Sequence, residues 1–192
     1  MKKLSVKLRH TLHFDFMISK ELDFAIRDIA DFPKPGIIFK DITPILKDAK
    51  LCTAVIDEFV KQLEGIEIDV VAGIESRGFL FGLMLANRLQ IPFVPIRKKG
   101  KLPFTTVEEP CELEYGSAIL ELHEDAIIPG QRVLIHDDLL ATGGTVSAAT
   151  RLVQKLDGVV AGYAFVISLD FLNANDKLKQ VSQNIISLVS YK

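Results

Sequence analysis

The sequence predicts an α/β fold built on a mainly parallel sheet, and two observations carry this prediction. Short apolar runs with the length of buried strands alternate along the chain with segments whose apolar residues follow helical spacing. Alternation of this kind is typical of βαβ units, and therefore of parallel strands with helices packed on the sheet. The length of 192 residues suits one domain, which we expect over residues 17–192.

Composition narrows the class of protein. The net charge of -2 argues against a general nucleic-acid binder and against a membrane-surface protein. The two cysteines, Cys52 and Cys111, are too few for a disulfide framework, so we expect free thiols and a cytoplasmic location. Residues 1–16 are basic but lack the apolar stretch of a secretory signal, and we interpret them as a disordered tail or an upstream extension rather than an organelle-targeting segment.

The first third of the chain is predicted to be helical at both ends. Apolar residues between Ile18 and Ile29 follow helical spacing, and the two prolines within residues 32–36 end that helix. A short extended run covers residues 37–39. Asp48 is a candidate N-cap for a second helix, whose apolar face would contain Leu51, Val55, Phe59 and Leu63.

The rest of the chain gives the alternation. Strands are predicted over residues 70–74, 93–96, 118–122, 133–135, 159–168 and 185–189, and helices over residues 79–89 and 145–156. Residues 97–110 are predicted to be a charged polar loop, and Cys111 is assigned to the same loop region. In sheets of this kind ligands bind beyond the carboxyl ends of the strands, so the segments after Ile74, Ile96 and Ile135 are the places to seek chemistry.

The segment after Ile135 combines two acids with a glycine-rich turn that opens a helix. Asp137 and Asp138 can accept hydrogen bonds from a sugar diol or hold the water shell of Mg²⁺. Gly143 and Gly144 let a ligand approach the main chain, and N–H groups at a helix start favour phosphate. The segment lacks the lysine of a Walker A loop and the spacing of a dinucleotide fingerprint. The alternative interpretation is a tight turn with solvated acids.

The string Asp-Asp-Leu-Leu-Ala-Thr-Gly-Gly-Thr resembles the PRPP-binding signature of type I phosphoribosyltransferases, and its form is similar to the adenine branch. PRPP is 5-phosphoribosyl 1-pyrophosphate. The resemblance implies a five-stranded parallel core sheet with a small N-terminal hood. His136 departs from the Val or Ile usual before the acids, and we assign it no role. The residues implied to bind the ribose and 5-phosphate are Asp137, Asp138, Ala141, Thr142, Gly143, Gly144 and Thr145.

Two further segments resemble the pyrophosphate site of the same family. The turn after Ile74 matches it at Glu75, Ser76 and Arg77, and family members often contain a cis peptide there. Arg77 is also implied to act in catalysis, because its guanidinium is suited to phosphate. In the basic run after Ile96, Arg97 and Lys101 match pyrophosphate contacts. Lys101 is expected to reach the active site of a second subunit, which implies a homodimer.

The hood and the adenine site are assigned by the same resemblance. Residues 103–116 look like the mobile hood loop, and Glu114 near its end aligns with a carboxylate proposed to act in catalysis. Around Phe39 the chain resembles the family's adenine-binding segment, although Lys40 stands where arginine is frequent. The adenine contacts implied are the main chain of Ile38, the ring of Phe39, Lys40, and Leu139 on the opposite purine face.

The activity implied by the resemblance is transfer of the phosphoribosyl group from PRPP to adenine, giving AMP and pyrophosphate, with Mg²⁺ as the cofactor. Adenine, PRPP and a second subunit are then the partners, and neither nucleic acid nor membrane is one. Two alternatives stay open. The first alternative is a phosphoribosyltransferase for another base, such as hypoxanthine or xanthine. The second is a non-catalytic PRPP sensor. A sensor would normally carry a DNA-binding segment, and no helix-turn-helix or basic stripe is evident.

Overall fold

The computed structural model describes residues 18–113 and 116–192, so the predicted tail over residues 1–16 lies outside the described residues. The chain divides into two compact units, with the division between Glu58 and Phe59. Each unit is described by itself below. The single-domain assignment for residues 17–192 stays a prediction.

The first unit contains a helix and a two-stranded antiparallel sheet. Residues 18–25 are helical (α1), and strand β1 (Arg27–Ala30) pairs with β2 (Ile38–Asp41). The prediction that the first helix continues to Ile29 is therefore wrong, whereas the extended run at residues 37–39 is confirmed. Ile29 continues the helical spacing of the apolar residues before it, but the pairing of β1 with β2 makes residues 27–30 a strand.

Two helices follow β2, a short α2 (Thr43–Leu46) and the longer α3 (Ala49–Gln62). The Asp48 carboxylate accepts hydrogen bonds from the main-chain N–H groups of Lys50 and Leu51, at 2.9 and 3.1 Å. These two N–H groups belong to the first turn of α3 and have no partner within the helix. The predicted N-cap is therefore confirmed, and it explains where α3 begins.

The second unit is built on a seven-stranded sheet in the order β5-β6-β4-β3-β7-β8-β9. The five neighbouring strands from β4 to β9 in this order are parallel, which confirms the predicted core. Strands β5 and β6 extend the sheet in antiparallel fashion beside β4. The strands are β3 (Val70–Ile74), β4 (Phe93–Lys98), β5 (Thr106–Leu113), β6 (Gly116–His123), β7 (Arg132–Leu140), β8 (Val159–Leu169) and β9 (Ile185–Tyr191).

Helices connect the parallel strands. Helix α4 (Gly78–Leu89) follows β3, α5 (Gly144–Lys155) follows β7, and the short α6 (Asn175–Leu178) precedes β9. Strands β3, β7 and β8 are buried along most of their length, as expected for the middle of a sheet that helices cover. In the part of the chain that the structure describes, no helix combines the length and the apolar character needed to cross a bilayer.

The predicted loop at residues 97–110 is wrong in its extent. Arg97 and Lys98 continue β4, and β5 runs from Thr106, so most of the expected hood loop is one strand of a hairpin with β6. Cys111 lies in that strand and is buried, so its assignment to a polar loop is wrong. Both thiols are free, as predicted. Pro110 favoured a loop in the sequence, but β5 is the edge strand of the sheet, where a proline is tolerated.

Asp69, directly before β3, joins the starts of two core strands. Its carboxylate accepts hydrogen bonds from the main-chain N–H of Arg132 at 2.8 Å and from the guanidinium Nε and Nη2 of Arg132 at 2.9 and 2.7 Å. These hydrogen bonds to Arg132 lower the pKa of Asp69 to about 2.

The lowered pKa predicts a pH-dependent contribution to stability. The stabilisation is fully present above the unfolded-state pKa of Asp, about 3.9, and is lost as the pH falls through the folded-state pKa. Asp69→Asn is therefore expected to melt at a lower temperature than the parent protein at pH 7, and the gap is expected to narrow as the pH falls from 4 towards 2. Thermal unfolding of the parent and variant proteins across this pH range measures the difference in melting temperature. Asp125→Asn is the control, because Asp125 is exposed. A gap that is independent of pH would contradict the assignment.

Candidate active site

The acid pair and the glycine-rich turn line one cleft of about 300 Å³ at the carboxyl end of β7. Strand β7 extends through both acids to Leu140, so the acids are part of the strand, and the turn leads directly into α5. Arg77 from the turn after β3 completes the wall. The remaining lining residues are Asp137, Asp138, Leu139, Leu140, Ala141, Thr142, Gly143, Gly144, Thr145 and Val146, which include every residue predicted to bind ribose 5-phosphate.

The glycines shape the end of this cleft where α5 begins. Gly143 is the N-cap of α5 and has φ +78°, a left-handed conformation that other residues adopt at a cost. At Gly144 a side chain would collide with the main-chain oxygen of Glu112 in β5. The first residues of α5, from Gly144 to Val146, line the cleft, and the N-terminus of a helix favours an anion.

Arg77 and Asp138 form an ion pair between the two strand ends. The Arg77 Nε lies 3.1 Å from Asp138 Oδ2, and the Asp138 carboxylate is almost fully buried. Asp137 Oδ1 accepts a hydrogen bond from the main-chain N–H of Asp138 at 2.9 Å. Burial and the charge of Asp138 hold the pKa of Asp137 well above its usual range. Burial also raises the pKa of Asp138, while Arg77 acts in the opposite direction.

A close glycine contact brings Arg77 to the acid pair. A Cβ placed on Gly78, the first residue of α4, would lie 2.8 Å from the main-chain oxygen of His136 and 3.0 Å from Asp137 Cα. Both contacts are with backbone, which cannot move aside as a side chain can. The start of α4 therefore packs directly on β7, and Arg77 is held beside Asp138 because Gly78 has no side chain.

A second cleft of about 310 Å³ adjoins the first at the acid pair. Arg77, Asp137, Asp138 and Thr145 line both clefts. The peptide bond between Glu75 and Ser76 is cis, as the resemblance implied. Lys98 also lines this cleft; it belongs to the basic run after Ile96 but was not among the predicted site residues. The other lining residues are Ile74, Glu75, Ser76, Ala118 and Leu120.

The basic run is tied to the turn after β3. Glu75 Oε2 accepts hydrogen bonds from Arg97 Nε at 3.1 Å and from the main-chain N–H of Lys98 at 3.0 Å. Arg97 Nη1 in turn donates to the main-chain oxygen of Lys101 at 3.3 Å. Lys101 itself is exposed and lines neither cleft of this chain. The structure thus brings Glu75, Ser76 and Arg77 to the second cleft and places Arg97 behind them.

His136 is packed in the core. The side chain is fully buried, and its ring meets the ring of Phe59 edge-on at 5.5 Å between centroids. Burial lowers the pKa of His136 to about 4, so the imidazole is neutral at pH 7. His136 thus fills the core beneath the acid pair.

The residues assigned to adenine fall in the first unit, except for Leu139 in the first cleft. Phe39 meets Phe32 edge-on at 5.1 Å between ring centroids, and Lys40 Nζ lies 2.6 Å from Asp28 Oδ1. Both contacts are within the first unit. Glu114, the predicted catalytic carboxylate, lies outside the described residues. Among the residues that are described, no three His, Cys, Asp or Glu side chains converge as a metal site.

Comparison with known proteins agrees with this geometry. The phosphoribosyl transferase domain model matches residues 40–190, which include both clefts. The adenine phosphoribosyltransferase of Cytophaga hutchinsonii is 51% identical over 175 residues, covering 91% of this chain and 97% of that protein. Most of each chain is therefore shared, not only the motifs.

Solved structures give the same result. The crystal structure of adenine phosphoribosyltransferase from Thermoanaerobacter pseudethanolicus is similar with a TM-score of 0.86 and 52% identity, covering 90% of this chain and 99% of that one. The Saccharomyces cerevisiae enzyme, complexed with an imino-altritol bisphosphate and adenine, has a TM-score of 0.84 and 41% identity, covering 90% and 98%. The chain belongs to the adenine phosphoribosyltransferase family of type I phosphoribosyltransferases.

Proposed function

We propose that the chain transfers the 5-phosphoribosyl group from PRPP to adenine, giving AMP and pyrophosphate in purine salvage. The observation that carries this function is the pair of clefts around one acid pair. A helix N-terminus with a glycine turn suits the 5-phosphate, and the neighbouring cleft with Arg77 and Lys98 suits a pyrophosphate. The two ends of PRPP match these two clefts, with its ribose between them at the acids.

The direct test follows AMP and pyrophosphate together. Purified protein is incubated with adenine, PRPP and Mg²⁺, and the products are separated by chromatography. Equal amounts of AMP and pyrophosphate are expected. Hydrolysis of PRPP without AMP, or no turnover with adenine, would contradict the proposed function.

The first cleft binds the ribose 5-phosphate in this proposal. The main-chain N–H groups from Ala141 to Thr145 and the hydroxyls of Thr142 and Thr145 donate to the phosphate. Asp137 and Asp138 accept hydrogen bonds from the ribose hydroxyls. These contacts fix the anomeric carbon, so that the purine nitrogen attacks from one side while pyrophosphate leaves from the other through an oxocarbenium-like state. Chemical assistance by Glu114 stays a prediction.

The second cleft binds the leaving pyrophosphate. Arg77 and Ser76 donate to its oxygens, and Lys98 adds a positive charge at the same wall. Glu75 is better suited to an indirect role than to the predicted contact, because its carboxylate would repel pyrophosphate and is bonded to Arg97 and to the Lys98 main chain. We therefore assign Glu75 to orienting the basic run.

Magnesium fits this site as an ion carried by the substrate. The acid pair offers carboxylate oxygens beside the pyrophosphate cleft, and two carboxylates without a third side-chain ligand suit an ion that keeps its waters. When bound, the ion neutralises charge on the leaving pyrophosphate. Asp137 and Asp138 would hold its water shell. A cytoplasmic location, with free thiols at Cys52 and Cys111, belongs to the same proposal.

A homodimer completes the proposal. Lys101 is exposed and lines neither cleft of its own chain, which fits a residue that serves a neighbouring site. Helix α4, which begins at the pyrophosphate turn, also exposes an apolar face. The exposed residues are Leu80, Leu83 and Met84, at 41%, 57% and 39% of their full surface. An apolar helix face of this kind is suited to a subunit contact.

Mixing two inactive variants tests the shared site. Lys101→Ala and Asp137→Asn proteins are each expected to lose at least about nine-tenths of the parent activity alone. If Lys101 serves the partner's site, each heterodimer has one site with both lesions and one with neither. Random exchange in an equal mixture then restores about a quarter of the parent activity. Mixing Asp137→Asn with Asp138→Asn is the control, because every site keeps one lesion. No recovery after demonstrated subunit exchange would contradict a shared site.

A further inference from the structure

Glu121 occupies an unusual position for an acid. It lies on β6 and is only 3% exposed. Its side chain reaches the turn after β4, where Oε1 accepts hydrogen bonds from the main-chain N–H groups of Lys101 and Leu102 at 2.8 and 2.7 Å. Oε2 accepts from the N–H of Gly100 at 3.1 Å. One carboxylate thus binds three successive N–H groups.

The turn itself has the shape of an anion-binding site. Gly100 has φ +83°, and the chain around it turns consecutive N–H groups toward the same point. Such concave main-chain arrangements bind anions. Here the anion is part of the protein, and the hydrogen bonds from the three N–H groups lower the pKa of Glu121 against the effect of burial.

The turn is also connected to the pyrophosphate cleft. Arg97 Nη1 donates to the main-chain oxygen of Lys101, and Arg97 Nε donates to Glu75 in the turn that lines the cleft. The main chain of Lys101 is therefore held on its N–H side by Glu121 and on its oxygen side by Arg97. The side chain of Lys101 remains exposed and projects from this fixed backbone.

We propose that Glu121 is a positioning residue for pyrophosphate recognition: its carboxylate shapes the 100–102 turn and so fixes where Lys101 presents its ammonium group. This inference rests on the proposed function, because the role of Lys101 as a pyrophosphate contact belongs there. Glu121 touches no substrate in this scheme. It acts through the backbone of Lys101, and its loss affects the pyrophosphate end of PRPP but not the purine.

The test uses Glu121→Gln in the full-length protein. Glutamine keeps the size of the side chain but replaces one acceptor oxygen with an NH₂ donor, which opposes the N–H groups of the turn. We expect the KM for PRPP and the Kd for pyrophosphate, measured by calorimetry, to rise about ten-fold, since hydrogen bonds to a charged group are affected. The KM for adenine is expected to stay within about two-fold of the parent value. Glu108→Gln is the matched control, because Glu108 faces Glu121 across the β5–β6 pair but bonds Lys99.

A double-mutant cycle separates positioning from a purely structural role. If Glu121 acts through Lys101, Glu121→Gln should add little to the effect of Lys101→Ala on pyrophosphate affinity. Additive effects would overturn the proposal, and so would equal rises in the KM values for PRPP and adenine. Failure of the parent protein to make AMP would instead contradict the proposed function, whereas pyrophosphate affinity still tests the inference.

A second variant changes the same turn without touching Glu121. Gly100→Ala strains the turn, because alanine disfavours φ +83°, although no atom lies within 4 Å of the new Cβ. It is expected to raise the Kd for pyrophosphate as Glu121→Gln does. Gly130→Ala is its control, since Gly130 has φ +85° and the same open surroundings in a turn before β7. Unchanged pyrophosphate affinity in Gly100→Ala and in folded Glu121→Gln would overturn the proposal.

Discussion

With PRPP saturating, adenine is expected to react faster than hypoxanthine by a factor of about 10⁴–10⁵, because a site built on hydrogen bonds rejects an analogue that leaves its buried groups unpaired. Adenine presents a 6-amino donor and an unprotonated N1 acceptor, whereas hypoxanthine presents a 6-oxo acceptor and an N1–H donor. A main-chain oxygen and N–H at Ile38 that fit the first base face like partners in the second. Ile38 belongs to β2, whose sheet has only two strands in the part of the chain that the structure describes. In the described part of the chain, the main-chain groups along one edge of β2 therefore form no hydrogen bonds to another strand.

Stacking of the purine ring on Phe39 is expected to have a second, smaller effect on adenine use. Phe39→Ala is expected to lower kcat/KM for adenine about ten- to a hundred-fold, since stacking of a base on an aromatic ring contributes about 1–3 kcal/mol. It should not admit the oxopurines, because stacking holds either ring. Phe24→Ala is the control, since Phe24 is 94% exposed in the same unit and has no assigned role.

Pyrophosphate release with adenine, hypoxanthine, guanine and xanthine measures both effects on one scale. Equal rates with adenine and an oxopurine would contradict the proposed base choice and leave the PRPP site intact. They would favour the alternative of a phosphoribosyltransferase for another base. No release with any base, together with tight PRPP binding, would favour the PRPP sensor.

Replacing either acid of the pair with asparagine is expected to reduce kcat/KM for PRPP about ten- to a hundred-fold, because a charge-assisted hydrogen bond to a ribose hydroxyl contributes about 1.5–3 kcal/mol. In Asp138→Asn the Arg77 guanidinium also loses its carboxylate partner at 3.1 Å. Asp137→Asn leaves that ion pair in place. We therefore expect Asp138→Asn to have the larger effect of the two.

Steady-state kinetics with PRPP and adenine varied separately measures this prediction. Asp69→Asn is the matched control, because it also removes a carboxylate from an arginine but at the opposite ends of the parallel strands. It should reduce thermal stability without changing kcat/KM for PRPP. Parent-like kinetics in both Asp137→Asn and Asp138→Asn would contradict the assignment of the acid pair.

The sequence predicted most of the core and the lining of the first cleft, because that information is local. Six strands of the second unit were predicted from short apolar runs, and two of its helices from apolar residues at helical spacing. The residues from Asp137 to Thr145 are consecutive, so a strand end, an acid pair and a glycine-rich turn are visible in one segment. The N-cap at Asp48 is local in the same sense.

The wrong predictions concern segments whose partner lies elsewhere. The apolar residues up to Ile29 follow helical spacing, and only pairing with β2 makes residues 27–30 strand β1. Residues 106–113 contain charges and Pro110 and were predicted to be a loop. They form β5 because β6 supplies hydrogen bonds along one side and the other side is the sheet edge.

By itself, the sequence determined the parallel α/β core, the glycine-rich turn and the residue types at the strand ends. The tertiary structure decided what those residues contact. It placed Glu121 under the turn at Lys101, Arg97 against Glu75, and Gly78 against β7, so that Arg77 meets Asp138. Each contact joins residues about 20 or more positions apart, whose distance depends on strand order. Strand order is set by packing of the whole sheet, and the periodicity of apolar residues along the chain does not predict that order.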